Sequence, residues 1–581
     1  MPNGTLDHLT EENRRLLDLR KAFDREVHLD PTIYWPFLRP CIVDVLVVID
    51  GLEFSDANFG LSTFIRTLLD MPGRYVRFKI TLAHIFDAAP AQMLAGEPRI
   101  ANRITRFRFD NVSHFGTNMY DVVFLFGIAT SFPGRGNDSN GNPSPVDRLS
   151  DTELRALTLH MNAKGGLFAT GDHGVLGKPL SSAVPRARSM RLWSGTSGDV
   201  SVDEVSMDGP RRNDTNRIGH DAGSQFDDQS DDVPQDIQPR LYSRRTGLFR
   251  YSFPHPLLCS PNGMIRVMPD HPHEGQCVEP SDPNLTLNFG GALGKEYPDA
   301  ISGSRPLPEI ISTSTVLSGT RSGVKQPTVG QTFGGICAYD GHRVGVGRVV
   351  TDATWHHFVN INLVGDLGAP MGSAKRLGFL ATAAGQAHFE AIKTYYRNLA
   401  VWLSPPERIS CMNARLSWSI VWNDRVMEAV LTTAEIRVSE VRPGVLQLIG
   451  RHARDVLGRY VGACQTMKLI LDLVMERALP DIIPHIDPWG PVEQRTELGE
   501  LEWFDGNALL DVALGGALVA LREVLPHPDP KSVEAIDSDT LRKAAATGGR
   551  QALDLALKDL VRTARTVKNE FRPAGGNRSA D

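Results

Sequence analysis

Cysteine is scarce in this chain and basic charge shows no excess, and each shortage removes a class of function. Six cysteines (Cys41, Cys259, Cys277, Cys337, Cys411 and Cys464) are spread over 581 residues, with no C-x-x-C pair to hold a structural zinc. They make no dense disulfide framework, so reduced thiols in a cytoplasmic protein are the simplest expectation. Lys and Arg number 62 against 68 Asp and Glu, a net charge of -6, which gives no pull towards nucleic acid or an anionic membrane. The opening MPNGTLDHLTEENRRLLDLRKAFD lacks the apolar core of a signal peptide, so secretion is not expected. No long hydrophobic run appears either. The most apolar segment, Leu509 to Leu525, carries Asp511 and Glu523 and falls short of the ~20 apolar residues that cross a bilayer. It is read as a buried helix.

What is present is a strand-and-helix alternation. Ile42 to Ile49 (IVDVLVVI) is β-branched and apolar, as a central parallel strand covered on both faces would be. A helix is expected over Ala57 to Leu69, capped by Ser55 or Asp56, then strands near Val76 to His84 and Val122 to Phe126. Ser150 and Glu153 form a capping box for a helix ended by Gly165-Gly166, before a strand at Leu167 to Thr170. Further strands are expected at Glu309 to Leu317 and Val344 to Val350. The pattern implies an α/β fold, a flavodoxin-like, doubly wound and mostly parallel sheet with long insertions, followed by an α-helical domain. The expected divisions are an N-terminal helical extension over 1–40, the α/β domain over 41–370 with insertions near 194–245 and 280–331, and a helical domain over 371–581. Candidate helices there cover Ala374 to Leu403, Gly444 to Leu479, Asn507 to Leu525 and Asp539 to Phe571.

In an open parallel sheet, ligands bind beyond the carboxyl ends of the strands, and here the residues that follow the strands are polar. The first strand delivers Asp50, Glu53 and Asp56, GLFATGDHG delivers Asp172 and His173, and GRVVTDATWHH delivers Asp352, Trp355, His356 and His357. A further cluster contains His271, His273 and Glu274; in an extended chain the two histidines point the same way, as ligands of one divalent metal such as zinc would. His and Glu also suit proton transfer near neutral pH. Arg188 and Arg191, three apart, could clamp a carboxylate or phosphate, or pair internally with acidic residues. Bland readings stand beside these. Asp50 and Asp172 could cap helices, His356 and His357 could be structural, and the His271 cluster could be a solvated turn.

Three stretches carry a family resemblance: GGLFATGDHG at Gly165 to Gly174, HPLLCSPNGMIRVMPDH from His255, and GRVVTDATWHH from Gly347. Over roughly Ile42 to Leu363 the chain resembles the class I glutamine-amidotransferase-like superfamily, and within it the trehalose-utilisation (ThuA-like) branch. In glutaminases of that superfamily the first stretch is a nucleophile elbow with cysteine, and the third supplies a triad histidine followed two residues later by glutamate. Here the elbow carries Asp172 and His173, and position 358 is Phe358. The resemblance therefore implies the fold and the site, with His356 in the place of the triad histidine, and argues against glutamine hydrolysis by cysteine. ThuA-like proteins also lack that cysteine and are linked to sugar metabolism.

Two readings follow. In the first, the chain is an enzyme for a small polar substrate, sugar-like or amide-bearing. Asp172, His173 and His356 are catalytic, and Asp50, Glu53, Asp56, Arg188, Arg191 and Trp355 bind substrate. His271, His273, Glu274 and His357 are available to a metal in hydrolysis or isomerisation. In the second, the domain is a non-catalytic assembly or ligand-sensing protein. In both, the C-terminal helices are expected to meet another copy or a protein partner.

Overall fold

A computed structural model describes residues 40–71, 76–137, 143–172, 175–193, 235–246, 249–260, 263–269, 275–288, 292–301, 304–316, 331–372, 374–421, 430, 437–461, 463–475, 487–489, 506–524 and 538–570. The expected N-terminal extension, most of the insertion near 194–245, and His173, His271, His273 and Glu274 lie outside the described residues.

Ten strands build one sheet: β1 (Cys41–Ile49), β2 (Val76–His84), β3 (Asn102–Ile104), β4 (Val122–Phe126), β5 (Gly166–Thr170), β6 (Gln235–Pro239), β7 (Val267–Met268), β8 (Glu309–Val316), β9 (Gln331–Tyr339) and β10 (Val349–Asp352). Their order is β7-β6-β8-β9-β10-β5-β4-β1-β2-β3. The pairs from β3 through β2, β1, β4 and β5 to β10 are parallel, and those from β10 out to β7 are antiparallel. The fold is thus α/β with a mixed sheet. Ile49, Phe126, Thr170 and Asp352 lie in one row, so their strands end level and deliver the residues that follow to a common edge.

The two-sided burial expected of β1 follows from its sequence. Val43, Val45, Val47 and Ile49 enter one core, and Leu46 and Val48 the other. The first core is covered by α1 (Ser62–Leu69) and α3 (Ala383–Leu403), the second by α2 (Asp151–Asn162), giving three layers. The capping box of α2 is present, with Ser150 Oγ accepting from the Glu153 backbone N–H. The helix after β1 is shorter than expected. It starts at Ser62, with Leu61 as an N-cap that makes no side-chain bond, because the Asn360 side chain ties down the preceding loop at Ser55 O and Ala57 O. The strand expected at Val344 is displaced to Val349, since Gly345, at φ 78°, closes a 3-10 turn.

The helical region divides at a different place from 371. α3 and the start of α4 (Pro406–Val421), down to Met412, belong to the sheet's core, and a separate core begins at Val430. That second core joins α5 (Pro443–Val461), α6 (Ala463–Ile470), α7 (Gly506–Val524) and α8 (Ser538–Glu570). Leu471–Met475 forms a π-helical turn after α6. Helices α5 and α7 cross backbone to backbone at Gly450 and Gly515, and α7 and α8 do so at Gly516 and Gly548; a Cβ on Gly515 would stand 1.9 Å from Leu446 O. No described helix is long and apolar enough to cross a membrane.

The thiols depart from expectation. Cys41, at the start of β1, is disulfide-bonded to Cys411 in α4 across 370 residues, and Cys259 is also disulfide-bonded. Cys277 and Cys337 are free and buried. Sparse spacing misled the sequence reading because a bond between distant elements leaves no local signature.

Candidate functional site

The site is assembled where β5 and β10 end. Thr354 Nα-caps the turn Trp355–His357, its Oγ1 accepting the His356 backbone N–H at 2.9 Å and donating to Asp172 Oδ1 at 3.1 Å. Asp172 is 1% exposed. His356 Nδ1 lies 2.8 Å from Asn362 Oδ1 and its Nε2 lies 3.5 Å from Asp172 Oδ2. With the Asn362 amide oxygen accepting, Nδ1 carries the proton that this bond needs, and Nε2 is turned towards the Asp172 carboxylate. At 3.5 Å that contact is longer than a closed hydrogen bond.

An aromatic layer holds the turn in place. Phe358 is fully buried against Phe64, Phe126, Phe168 and Tyr396, with ring centroids 5.0 to 5.5 Å apart. Phe358 anchors the turn on the sheet, so it is Asn362, four residues on, that orients the His356 ring. Trp355 stacks on His356 at 4.1 Å and meets the edge of half-exposed Phe59 at 5.7 Å.

Asp50 occupies the crevice between the ends of β1 and β4, where the chain switches from building one side of the sheet to the other. Its Oδ1 accepts the N–H groups of Ile128 at 2.6 Å and Ala129 at 3.0 Å. Burial raises its carboxyl to about 6 against the pull of those bonds. Asp50 Oδ2 and Trp355 Nε1 are both buried with no hydrogen-bond partner among the described residues, two polar atoms at the same edge.

Other expected residues have different roles. Arg191 is 2% exposed, and its guanidinium donates to Asp352 O, Leu192 O, Asp172 O and Ala353 O at 2.6 to 3.1 Å. It is a buried clasp behind the site, which corrects its assignment to substrate. Arg188 is ion-paired with buried Glu296, so the two arginines form no common clamp. Glu53 accepts from Ser55 Oγ and Gln92 Nε2 and shapes its own loop, and Asp56 pairs with Arg66 at the surface. His357, 1% exposed, sets Nδ1 2.8 Å from Asp352 Oδ1, whose other oxygen accepts from Tyr395 at 2.8 Å. That places His357 under α3, beneath the sheet edge. Among the described residues no group of three His, Cys, Asp or Glu side chains could hold a metal ion.

Sequence reading missed Thr354 and Asn362. Thr354 lies within GRVVTDATWHH, the stretch singled out for its histidines, and Asn362 five residues beyond its end, yet hydroxyl and amide residues carry no signal there until the turn is folded. Compared with known proteins, the chain matches no family model, no curated protein and no solved structure.

Proposed function

We propose that the chain is an enzyme acting on a small polar substrate at the carboxyl edge of its parallel strands, with His356 and Asp172 as the acid/base pair. The observation that carries this reading is the His356 imidazole, held at Nδ1 by Asn362 and facing a buried carboxylate through Nε2. The carboxylate stands within ion-pair reach of Nε2, where it can balance the charge of a protonated ring. In this reading Nε2 takes a proton from a substrate or from water and returns it to the leaving or rearranged group. Asp172 stabilises the imidazolium that forms between the two steps. Hydrolysis and isomerisation both use this cycle. Asp50 and the Trp355 N–H supply hydrogen-bonding positions beside it.

The flavodoxin-like, amidotransferase-like ancestry is part of the same proposal. It is supported by the parallel strand order and by His356 standing after β10. The two positions that would carry cysteine and glutamate chemistry hold Asp172 and Phe358. A sugar-like or amide-bearing substrate rests on that resemblance. Location in the cytoplasm sits poorly with the Cys41–Cys411 bond, since such bonds persist mainly in oxidising compartments.

The test is a panel of chromogenic glycosides and amides, assayed with the wild-type chain and with folded His356→Gln and Asp172→Asn variants. Turnover that falls at least about 100-fold in His356→Gln supports the reading. Equal turnover by both variants and the wild type would sink it.

A further inference from the structure

The last helix runs past the bundle that holds its first half. In α8, Leu541, Ala545, Ala552 and Leu553 are buried in the second core, whereas every residue from 561 to 570 is exposed. The apolar face does not stop with the bundle. Leu553, Leu557, Leu560, Ala564 and Val567 follow one another in steps of four, three, four and three, the spacing of a coiled-coil seam. Leu557, Leu560, Val561 and Val567 are 40%, 59%, 50% and 47% exposed. The opposite side carries Lys558, Asp559, Arg562 and Arg565, and the pairs Lys558–Asp554 and Arg562–Asp559 lie along the helix surface. Ten exposed helical residues extend roughly 15 Å, and a helix of that length is marginal alone in water.

We propose that this overhang pairs with the same segment of a second copy of the chain, as a short antiparallel coiled coil. Charge selects the antiparallel arrangement. With the seam at Leu557, Leu560, Ala564 and Val567, the flanking positions on one side are Asp554, Val561 and Lys568. An antiparallel pair sets these flanks against each other, so Asp554 of each copy meets Lys568 of the other and Val561 meets Val561. A parallel pair sets that flank against the other one, Ala556, Thr563 and Glu570, and gives Asp554 no basic partner on the second copy. The antiparallel order also sends the two bundles to opposite ends of the seam. Two turns of seam bury less than a standard interface, so association belongs in the micromolar range.

Light scattering of the full chain between about 1 and 100 μM tests this, with a dimer expected to form across that range. Leu560→Glu, at an exposed position, raises the dissociation constant at least 10-fold. Asp554→Lys and Lys568→Asp each weaken the dimer several-fold, and the double variant Asp554→Lys/Lys568→Asp restores it. A full-length monomer at 100 μM overturns the proposal, and so the stripe would then be covered by the chain's own remaining segments or left to solvent. A dimer that survives Leu560→Glu, or that the double charge exchange does not rescue, overturns it equally.

Discussion

Asp50 Oδ1 caps two consecutive backbone N–H groups, Ile128 and Ala129, so the carboxyl that ends β1 is fastened to the loop that ends β4. The same carboxyl is buried with its second oxygen unpartnered and titrates at about 6 instead of 3.8.

Stability should therefore fall as pH rises through the region from 3.8 to about 6. Below it Asp50 is protonated in both folded and unfolded chain, and its burial carries no ionic cost. Within it the unfolded chain releases its proton first, and above it a loss of roughly 3 kcal/mol is complete. Asp50→Asn keeps an acceptor for both N–H groups without the charge. Urea unfolding should show the variant more stable than wild type by about 1–3 kcal/mol at pH 8 and no more stable at pH 3.5. An advantage that does not change with pH would mean that the charge is not what Asp50 costs the fold.

Arg191 should be among the least replaceable residues of the domain. Arg191→Lys keeps the charge but loses the planar fork that reaches four carbonyls at once. Its replacement leaves Asp172, Asp352 and Ala353 with unmet backbone acceptors in a buried place, so a loss of about 3 kcal/mol or more is expected in denaturant unfolding. A loss under about 1 kcal/mol would return Arg191 to the substrate-binding role first expected of it.

The outline of the parallel half was legible in the sequence because burial on both faces leaves a compositional mark. β2 and β4 fall where Val76 to His84 and Val122 to Phe126 placed them, and the capping box located α2. Of the antiparallel extension, β8 falls where Glu309 to Leu317 placed it, but its neighbours were not legible. β6 reads QDIQP, and β9 is interrupted by Gly334 and Gly335, so neither shows a strand's apolar alternation. At the site, Asp172 and His356 were found by position after a strand, whereas Arg191 was misread because a guanidinium bound to main-chain carbonyls looks, in one dimension, like one awaiting an anion. The long helix expected over Gly444 to Leu479 is seen as α5 and α6, on either side of residue 462, and passes into a π turn at Leu471–Met475 that no proline in the sequence announces; residues 462 and 476–479 lie outside the described residues.

The Cys41–Cys411 bond should be found intact in the purified protein. Peptide mapping without reduction should yield a linked pair from β1 and α4, and Cys277 and Cys337 should take up alkylating reagent only after unfolding. Because the bond closes a loop of 370 residues, its reduction should lower stability by about 3–5 kcal/mol. Two separate free thiols at 41 and 411 under non-reducing conditions would remove the link.

Glycine matters where α5 and α7 touch. Gly515→Ala forces the helices apart against Leu446 O and should cost at least about 1–3 kcal/mol in thermal or urea unfolding. Gly444→Ala meets nothing within 4 Å and should be neutral or stabilise by up to about 1 kcal/mol. Equal effects from the two would show that the crossing is looser than the backbone contact implies.

The parallel pairing of β5 with β10 joins parts of the chain made far apart in time. Asp172 meets Thr354 from 182 residues further on, a stretch that takes about 10–40 s to emerge from a ribosome. Through that interval the edge of β5 has no strand to cover it, and the carboxylate that later faces His356 has no imidazole beside it. A nascent chain stalled short of residue 349 would carry an open, apolar sheet edge of the kind that chaperones bind and that seeds aggregation.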